Sequence, residues 1–149
     1  MKSVKPAKLQ RQLIDICLLM VTCASLVHAQ SLVAELKAQH DPTKRSELAL
    51  NFADAAFDNA RDCYEKGEIQ KGDAQLEDMT NALNECVVSL AVAHKARCYK
   101  KAELKVAYLQ RRMQGLLDDI EIQRRGWAEY TERKLDEIHD KLLDGVMRK

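Results

Sequence analysis

The sequence predicts an all-α fold, an elongated antiparallel arrangement of three helices around one long central helix. The 149 residues include only 5 Gly and 2 Pro, while hydrophobic residues make up 46% and charged residues 32%. Few turn formers and abundant Ala, Leu, Glu, Lys, Gln and Arg favour helix and argue against sandwiches, barrels and Gly-rich nucleotide-binding loops. Plentiful aliphatic residues and a formal net charge of only +1 argue against disorder.

The first 29 residues have the three-part pattern of a secretory signal peptide. Their four basic side chains are Lys2, Lys5, Lys8 and Arg11. An uncharged apolar run at 16–27 follows, which is too short to span a bilayer comfortably as a helix. Short residues before the expected cut predict cleavage after Ala29 and a periplasmic or secreted protein. An uncleaved membrane anchor and lipidation at Cys23 are the alternatives.

The remaining 120 residues are predicted to form one helical domain over 41–149, preceded by a flexible leader or short helix at 30–40. They carry 20 basic and 22 acidic side chains, so the mature chain is slightly negative. Nothing else in the sequence resembles a transmembrane segment. A chain of this length is able to bury an independent core.

The first helix is predicted over about 42–66. Asp41 is a typical N-cap, Pro42 suits the first helical position, and Gly67 is a typical C-terminal stop. Small and aromatic residues recur at steps of three and four along one face, which predicts the buried side. They are Ala49, Phe52, Ala53, Ala56, Phe57, Ala60, Cys63 and Tyr64.

The second helix is predicted to be long, over about 70–118, with a heptad-like seam. The seam contains Leu76, Met79, Leu83, Cys86, Leu90 and Ala93. Residues 87–93 are apolar almost all round and are therefore expected to be covered on several sides. Asp118 and Glu121 have the spacing of a helix start, so a third helix is predicted over about 121–147. Gly115 and Gly126 are alternative positions for the break.

Basic residues are concentrated in the second half of the long helix. Residues 91–125 hold nine bases and four acids, whereas residues 41–90 hold five bases and 11 acids. The candidate interaction surface consists of Lys95, Arg97, Lys100, Lys101, Lys105, Arg111 and Arg112. A solvated face with local ion pairs is the simpler interpretation, and a docking surface for an anionic partner or envelope component is the sharper one. Export and the charge balance argue against nucleic acid as the partner.

One segment, 56–79, resembles a tetratricopeptide-type helical hairpin. The spacing of Ala56, Ala60 and Tyr64, the turn at 67–69 and Leu76 is similar to that family. No second copy follows after 34 residues, so a solenoid with a peptide-binding groove is not expected. In general style the chain also resembles small exported helical proteins of bacteria, a resemblance that assigns no site residues.

Reactive side chains are few in the mature chain. The mature chain has an odd number of cysteines: Cys63, Cys86 and Cys98. Buried free thiols are the simplest expectation for them, and an intermolecular disulfide is the alternative. His94 and Cys98 would share a helix face, as metal ligands can. Asp136 and His139 are three residues apart, like one of the two carboxylate–histidine pairs of a di-iron site, but the sequence contains no second pair. The usual hydrolase, metalloprotease and phosphate-binding motifs are absent from the sequence.

These features predict an exported, non-enzymatic helical protein that acts by protein–protein contact, as an adaptor, a spacer or a self-assembling envelope protein. No cofactor is expected. Two alternatives stay open at this point. One is a small metal- or thiol-active envelope protein using His94 and Cys98, and the other is a holdase-like periplasmic chaperone.

Overall fold

The computed structural model describes residues 34–36 and 38–147, and every described secondary-structure element is helical. This confirms the prediction of an all-α protein. Residues 34–36 and 38 are helical, and the elements that follow are α1 (Pro42–Glu65), α2 (Ile69–Ala93), α3 (Ala96–Asp119), a 3-10 turn (Ile122–Arg124) and α4 (Gly126–Met147). The predicted signal peptide with its cleavage site at Ala29 lies outside the described residues, as does Cys23. No helix in the described part is long and apolar enough to cross a membrane.

Helix α1 begins and ends where its sequence predicts. The Asp41 carboxylate accepts hydrogen bonds from the backbone N–H groups of Thr43, at 2.8 Å, and Lys44, at 3.4 Å. These bonds satisfy donors that the first turn of a helix leaves free. Gly67 follows the helix with a φ of +74°, which a residue without a Cβ adopts at little cost. The first helical hairpin is therefore specified by local sequence at both ends of α1.

The long central helix predicted over 70–118 is interrupted. Helix α2 ends at Ala93, and His94 takes the left-handed conformation with φ 51° and ψ 31°. Its N–H donates to the Leu90 carbonyl at 3.0 Å, which closes the last turn of α2. No Gly or Pro marks this position, so the local sequence gives little sign of a break. The left-handed conformation of His94 costs conformational energy, and tertiary packing offsets it, because the chain must turn here for α3 to pack against α1.

We expect His94→Gly to raise the free energy of unfolding by about 0.5–1 kcal/mol, because glycine adopts the left-handed conformation without a Cβ clash. His94 is exposed, so little packing is lost with its imidazole. Urea unfolding followed by circular dichroism measures the change. Lys95→Gly is the control, since Lys95 has an ordinary φ of −106° and should lose about as much stability as His94→Gly gains. Equal losses in both variants would contradict this account of the break.

The second break lies close to its predicted place, but the last helix starts later than expected. Helix α3 ends at Asp119, and α4 begins at Gly126 rather than at residue 121. Between them Ile120 is 7% exposed, and its carbonyl accepts a 2.7 Å hydrogen bond from the Arg125 Nε–H. Gly115, one of the alternative break positions, lies inside α3. Burial of Ile120 and the Arg125 bond hold the connection in a 3-10 turn.

Helices α1 to α4 form two antiparallel hairpins that pack against each other. Helix α1 packs on α2, α3 packs on α4, and the hairpins meet mainly through α2 with α4 and α1 with α3. Helices α1 and α3 are parallel, because Glu47 pairs with Lys101 and Asp58 with Arg112. The three-helix arrangement around one central helix is therefore wrong in this detail, since the turn at His94 divides the long helix into two.

The core lies between the hairpins, where the buried alanines of α1 pack with larger side chains from all four helices. Its fully buried large side chains include Phe57, Leu76, Met79, Leu83, Leu90, Val106, Leu109, Met113, Leu135, Ile138 and Leu142. In the apolar segment 87–93, Leu90 is buried, but Val88 is 57% and Val92 64% exposed. The expectation that this segment is covered on several sides is wrong, because α2 ends there and α3 starts in a new direction.

Candidate interaction surface

Three members of the predicted basic surface form ion pairs with carboxylates of α1. Lys101 Nζ lies 2.9 Å from Glu47 Oε1, and Lys105 Nζ lies 2.7 Å from Asp54 Oδ2. Arg112 pairs with Asp54 at 3.3 Å and also with Asp58. The excess acid of α1 and the excess base of α3 thus neutralise each other across the boundary between the two hairpins. The simpler interpretation of the basic run, local ion pairing, holds for this part of it.

A fourth member, Lys100, pairs with a buried carboxylate. Its Nζ lies 2.7 Å from Glu103 Oε2, and His139 Nε2 lies 3.3 Å from Glu103 Oε1. Glu103 is only 7% exposed. The hydrogen bond from Lys100 is the main cause that lowers the pKa of Glu103, His139 adds to it, and burial opposes it. This cluster joins α3 to α4 and gives Lys100 a structural role.

Arg112 is also a packing residue. Its guanidinium lies 4.5 Å from the centre of the Phe57 ring and 5.4 Å from that of Tyr108, and its side chain is only 18% exposed. A guanidinium over an aromatic face keeps its in-plane N–H groups available for the two carboxylates. Arg112 therefore belongs to the joint between α1 and α3 rather than to a free surface.

Lys95, Arg97 and Arg111 remain as exposed cations with no ion pair to another described residue. Arg97 and Arg111 lie on one outward face of α3, in a series with spacings of four, three, four and three residues. We call this series the α3 stripe; it consists of Arg97, Lys101, Leu104, Tyr108 and Arg111. Such spacing keeps side chains on one side of a helix, and the same spacing is typical of the seam along which two helices pair.

The centre of the α3 stripe is apolar. Leu104 is 56% exposed and Tyr108 is 44% exposed, one helical turn apart. Beside them a groove of about 440 Å³ runs between α1 and α3, which we call the α1–α3 groove. It is lined by Glu47, Leu50, Asn51, Lys101, Leu104, Lys105 and Tyr108. The groove is therefore an apolar depression. The carboxylates on its α1 side are neutralised by ion pairs, and its outer edge on α3 is positively charged.

A second exposed apolar feature is the aromatic pair Trp127 and Tyr130 near the start of α4. The ring centres are 5.2 Å apart, and the residues are 39% and 43% exposed. Lys134 Nζ lies 5.6 Å from the Tyr130 ring centre. The pair therefore lies at the surface and not in the core. Aromatic residues that keep a large apolar area in solvent are enriched in protein interfaces.

The structure separates the residues considered for metal or thiol chemistry. His94 ends α2 while Cys98 lies in α3, so the expected shared helix face does not exist. Asp136 accepts a 2.7 Å hydrogen bond from Gln110, whereas His139 contacts Glu103. Across the described residues no group of three or more His, Cys, Asp or Glu side chains has a metal-binding arrangement.

The three described cysteines are free thiols. Cys86 is buried, and Cys63 and Cys98 are half-buried. Burial, with a smaller contribution from Cys98, raises the pKa of Cys86 to about 12. A thiol in such an environment is a poor nucleophile at neutral pH. Cys86 therefore acts as a small core side chain, as expected for a buried free cysteine.

The buried carboxylate makes stability depend on pH. Because the folded-state pKa of Glu103 is lowered, its contribution is present above the unfolded pKa and is lost as pH falls through the folded value. We expect the free energy of unfolding to fall more steeply below about pH 5 in the wild type than in Glu103→Gln. Urea unfolding between pH 3 and 7 measures both slopes. Glu129→Gln, at an exposed position of α4, should retain the wild-type slope; parallel profiles for all three would contradict the prediction.

Comparison of the chain with protein-family models, with curated proteins and with solved structures finds no match. Sequence reasoning identified Arg97, Lys101 and Arg111 but missed Leu104 and Tyr108 between them. The alternating spacing of four and three residues from 97 to 111 was the signal that could have found them.

Proposed function

We propose that this protein is exported and acts, without catalysis of its own, by binding another protein through the α3 stripe and the α1–α3 groove. The observation that carries the proposal is the placement of Leu104 and Tyr108. Both are large apolar side chains, 56% and 44% exposed, and they adjoin a groove. Apolar groups clustered at a concave surface favour association, whereas single exposed apolar side chains do not.

The ion pairs of α3 support this choice of surface. Lys101 and Lys105 are held by carboxylates of α1, so their aliphatic stems form fixed walls of the groove. A surface that is ordered before binding loses less conformational entropy when a partner arrives. Export is supported by the signal-like pattern of residues 1–29 and by the predicted cleavage at Ala29.

The test is affinity capture from the native host with tagged full-length chain and two single variants. Leu104→Glu places a charge in the centre of the α3 stripe, and Val92→Glu places the same charge on α2, where Val92 is 64% exposed. Both variants should keep the wild-type circular dichroism spectrum. We expect a stoichiometric partner to be captured by the wild type and by Val92→Glu, and to be reduced at least about tenfold with Leu104→Glu.

Two results would overturn the proposal. One is a captured set that is the same for Leu104→Glu and the wild type, and the other is no stoichiometric partner for any form. Export is tested separately by mass spectrometry of the protein recovered outside the cytoplasm, which should begin at Gln30. Recovery of the full-length chain from the cytoplasm alone would contradict export without affecting the binding surface.

A further inference from the structure

We infer that the partner segment is an acidic amphipathic helix that lies along the α3 stripe, with its apolar side chains against Leu104 and Tyr108 and carboxylates at both ends. The inference depends on the proposed function and specifies the chemistry of its partner. Three observations carry it: the helix-pairing spacing of the α3 stripe, its apolar centre beside a groove, and the cations that remain without carboxylates.

The geometry favours a helix over an extended strand. The α3 stripe covers 15 residues from Arg97 to Arg111, and the 14 steps between its ends correspond to roughly 21 Å along a helix axis. Its exposed backbone is already hydrogen-bonded within α3, so the surface offers no free sheet edge for strand addition. The groove between α1 and α3 has the form that a neighbouring helix fills with side chains spaced one turn apart. The apolar contact therefore requires two aliphatic residues three or four positions apart in the partner.

The charges select an acidic partner. On the α1 side of the groove, Glu47, Asp54 and Asp58 are already paired with cations of α3. Within the described part of the chain, Arg97 and Arg111 are exposed at the two ends of the α3 stripe and have no carboxylate partner. An arginine guanidinium binds a carboxylate through two parallel N–H donors, so a carboxylate opposite each end would fix both position and direction.

A second copy of this chain is a weaker fit among the described surfaces. Helix α4 exposes several carboxylates, but its large exposed apolar side chains lie only near its two ends, at Trp127, Tyr130 and Met147. It therefore lacks an apolar centre between acidic ends. Helix α2 exposes Val88 and Val92 four residues apart, but His94 and Lys95 follow them in place of a carboxylate. A polyanion without apolar groups would leave Leu104 and Tyr108 in water, so it would gain nothing from the centre of the α3 stripe.

The experiment measures fluorescence anisotropy of labelled synthetic peptides mixed with the full-length protein. The acidic probe is a helical peptide of about 18 residues with two leucines four apart and glutamates about seven residues from the apolar centre on each side. The matched probe has lysine in place of every glutamate. We expect the acidic probe to bind at least about tenfold more tightly than the basic probe, and to weaken as salt is raised.

Charge reversal gives the sharpest readout. In the double variant Arg97→Glu with Arg111→Glu, the preference should invert, so that the basic probe binds more tightly than the acidic one. Arg133→Glu reverses an exposed cation on α4 and should leave the wild-type preference unchanged. Equal binding of the two probes, or an unchanged preference in the double variant, would overturn the inference.

The outcomes also separate this inference from the proposed function. If neither probe binds while capture of the native partner still depends on Leu104, the acidic helix is wrong and the binding surface stands. If neither probe binds and capture does not depend on Leu104, both are wrong. Concentration-dependent self-association in sedimentation that is abolished by Leu104→Glu would identify a second copy as the occupant and would overturn the inference.

Discussion

Replacing Leu109 with alanine is expected to lower the free energy of unfolding by about 2–5 kcal/mol. Leu109 is 0% exposed and lies on the face of α3 that contributes to the core between the two hairpins. The substitution removes buried methyl groups and leaves a cavity that the surrounding helices fill only in part. Urea unfolding followed by circular dichroism measures the loss.

Leu104→Ala is the matched control for this prediction. It makes the same chemical change in the same helix, but Leu104 is 56% exposed, so stability should change by no more than about 0.5 kcal/mol. For partner binding the order should be reversed: Leu104→Ala should weaken binding and Leu109→Ala should not, since only Leu104 belongs to the proposed surface. Equal stability losses for the two leucines would contradict an orientation of α3 that buries Leu109 and exposes Leu104.

Arg112→Ala is expected to destabilise the protein by about 1–3 kcal/mol. The substitution removes a guanidinium that lies 4.5 Å from the centre of the Phe57 ring and leaves Asp54 with one cation, Lys105, instead of two. Solvent screening limits the ionic part, because the side chain of Asp58 is 53% exposed. The lost packing of the 18%-exposed arginine side chain supplies the rest.

Two further variants test whether shape or charge matters at this position. Arg112→Lys keeps the charge but not the planar fork, so it should lose about half as much stability as alanine. Arg111→Ala removes the neighbouring exposed arginine and should stay within about 0.5 kcal/mol of the wild type. If Arg112→Ala and Arg111→Ala had the same small effect, Arg112 would not be a joint between the hairpins.

The interaction surface was only partly predictable from the sequence. A high local density of bases marked the right helix, and Arg97, Lys101 and Arg111 are part of the proposed α3 stripe. The same density could not show which cations are free, because Lys105 and Arg112 find their carboxylates on α1, more than 50 residues earlier in the chain. Ion pairing between distant segments depends on how the hairpins pack, which no local pattern contains.

By itself the sequence determined the helical class, the bounds of α1 and the turn that follows it. The Asp41 cap, the proline after it and Gly67 act through bonds and dihedral angles within a few residues, so they are readable directly. Only the tertiary structure decided the break at His94 and the exposure of Val88, Val92, Leu104 and Tyr108. The physical reason is that helix propensity near His94 favours continuation, and only burial of α3 against distant helices outweighs it.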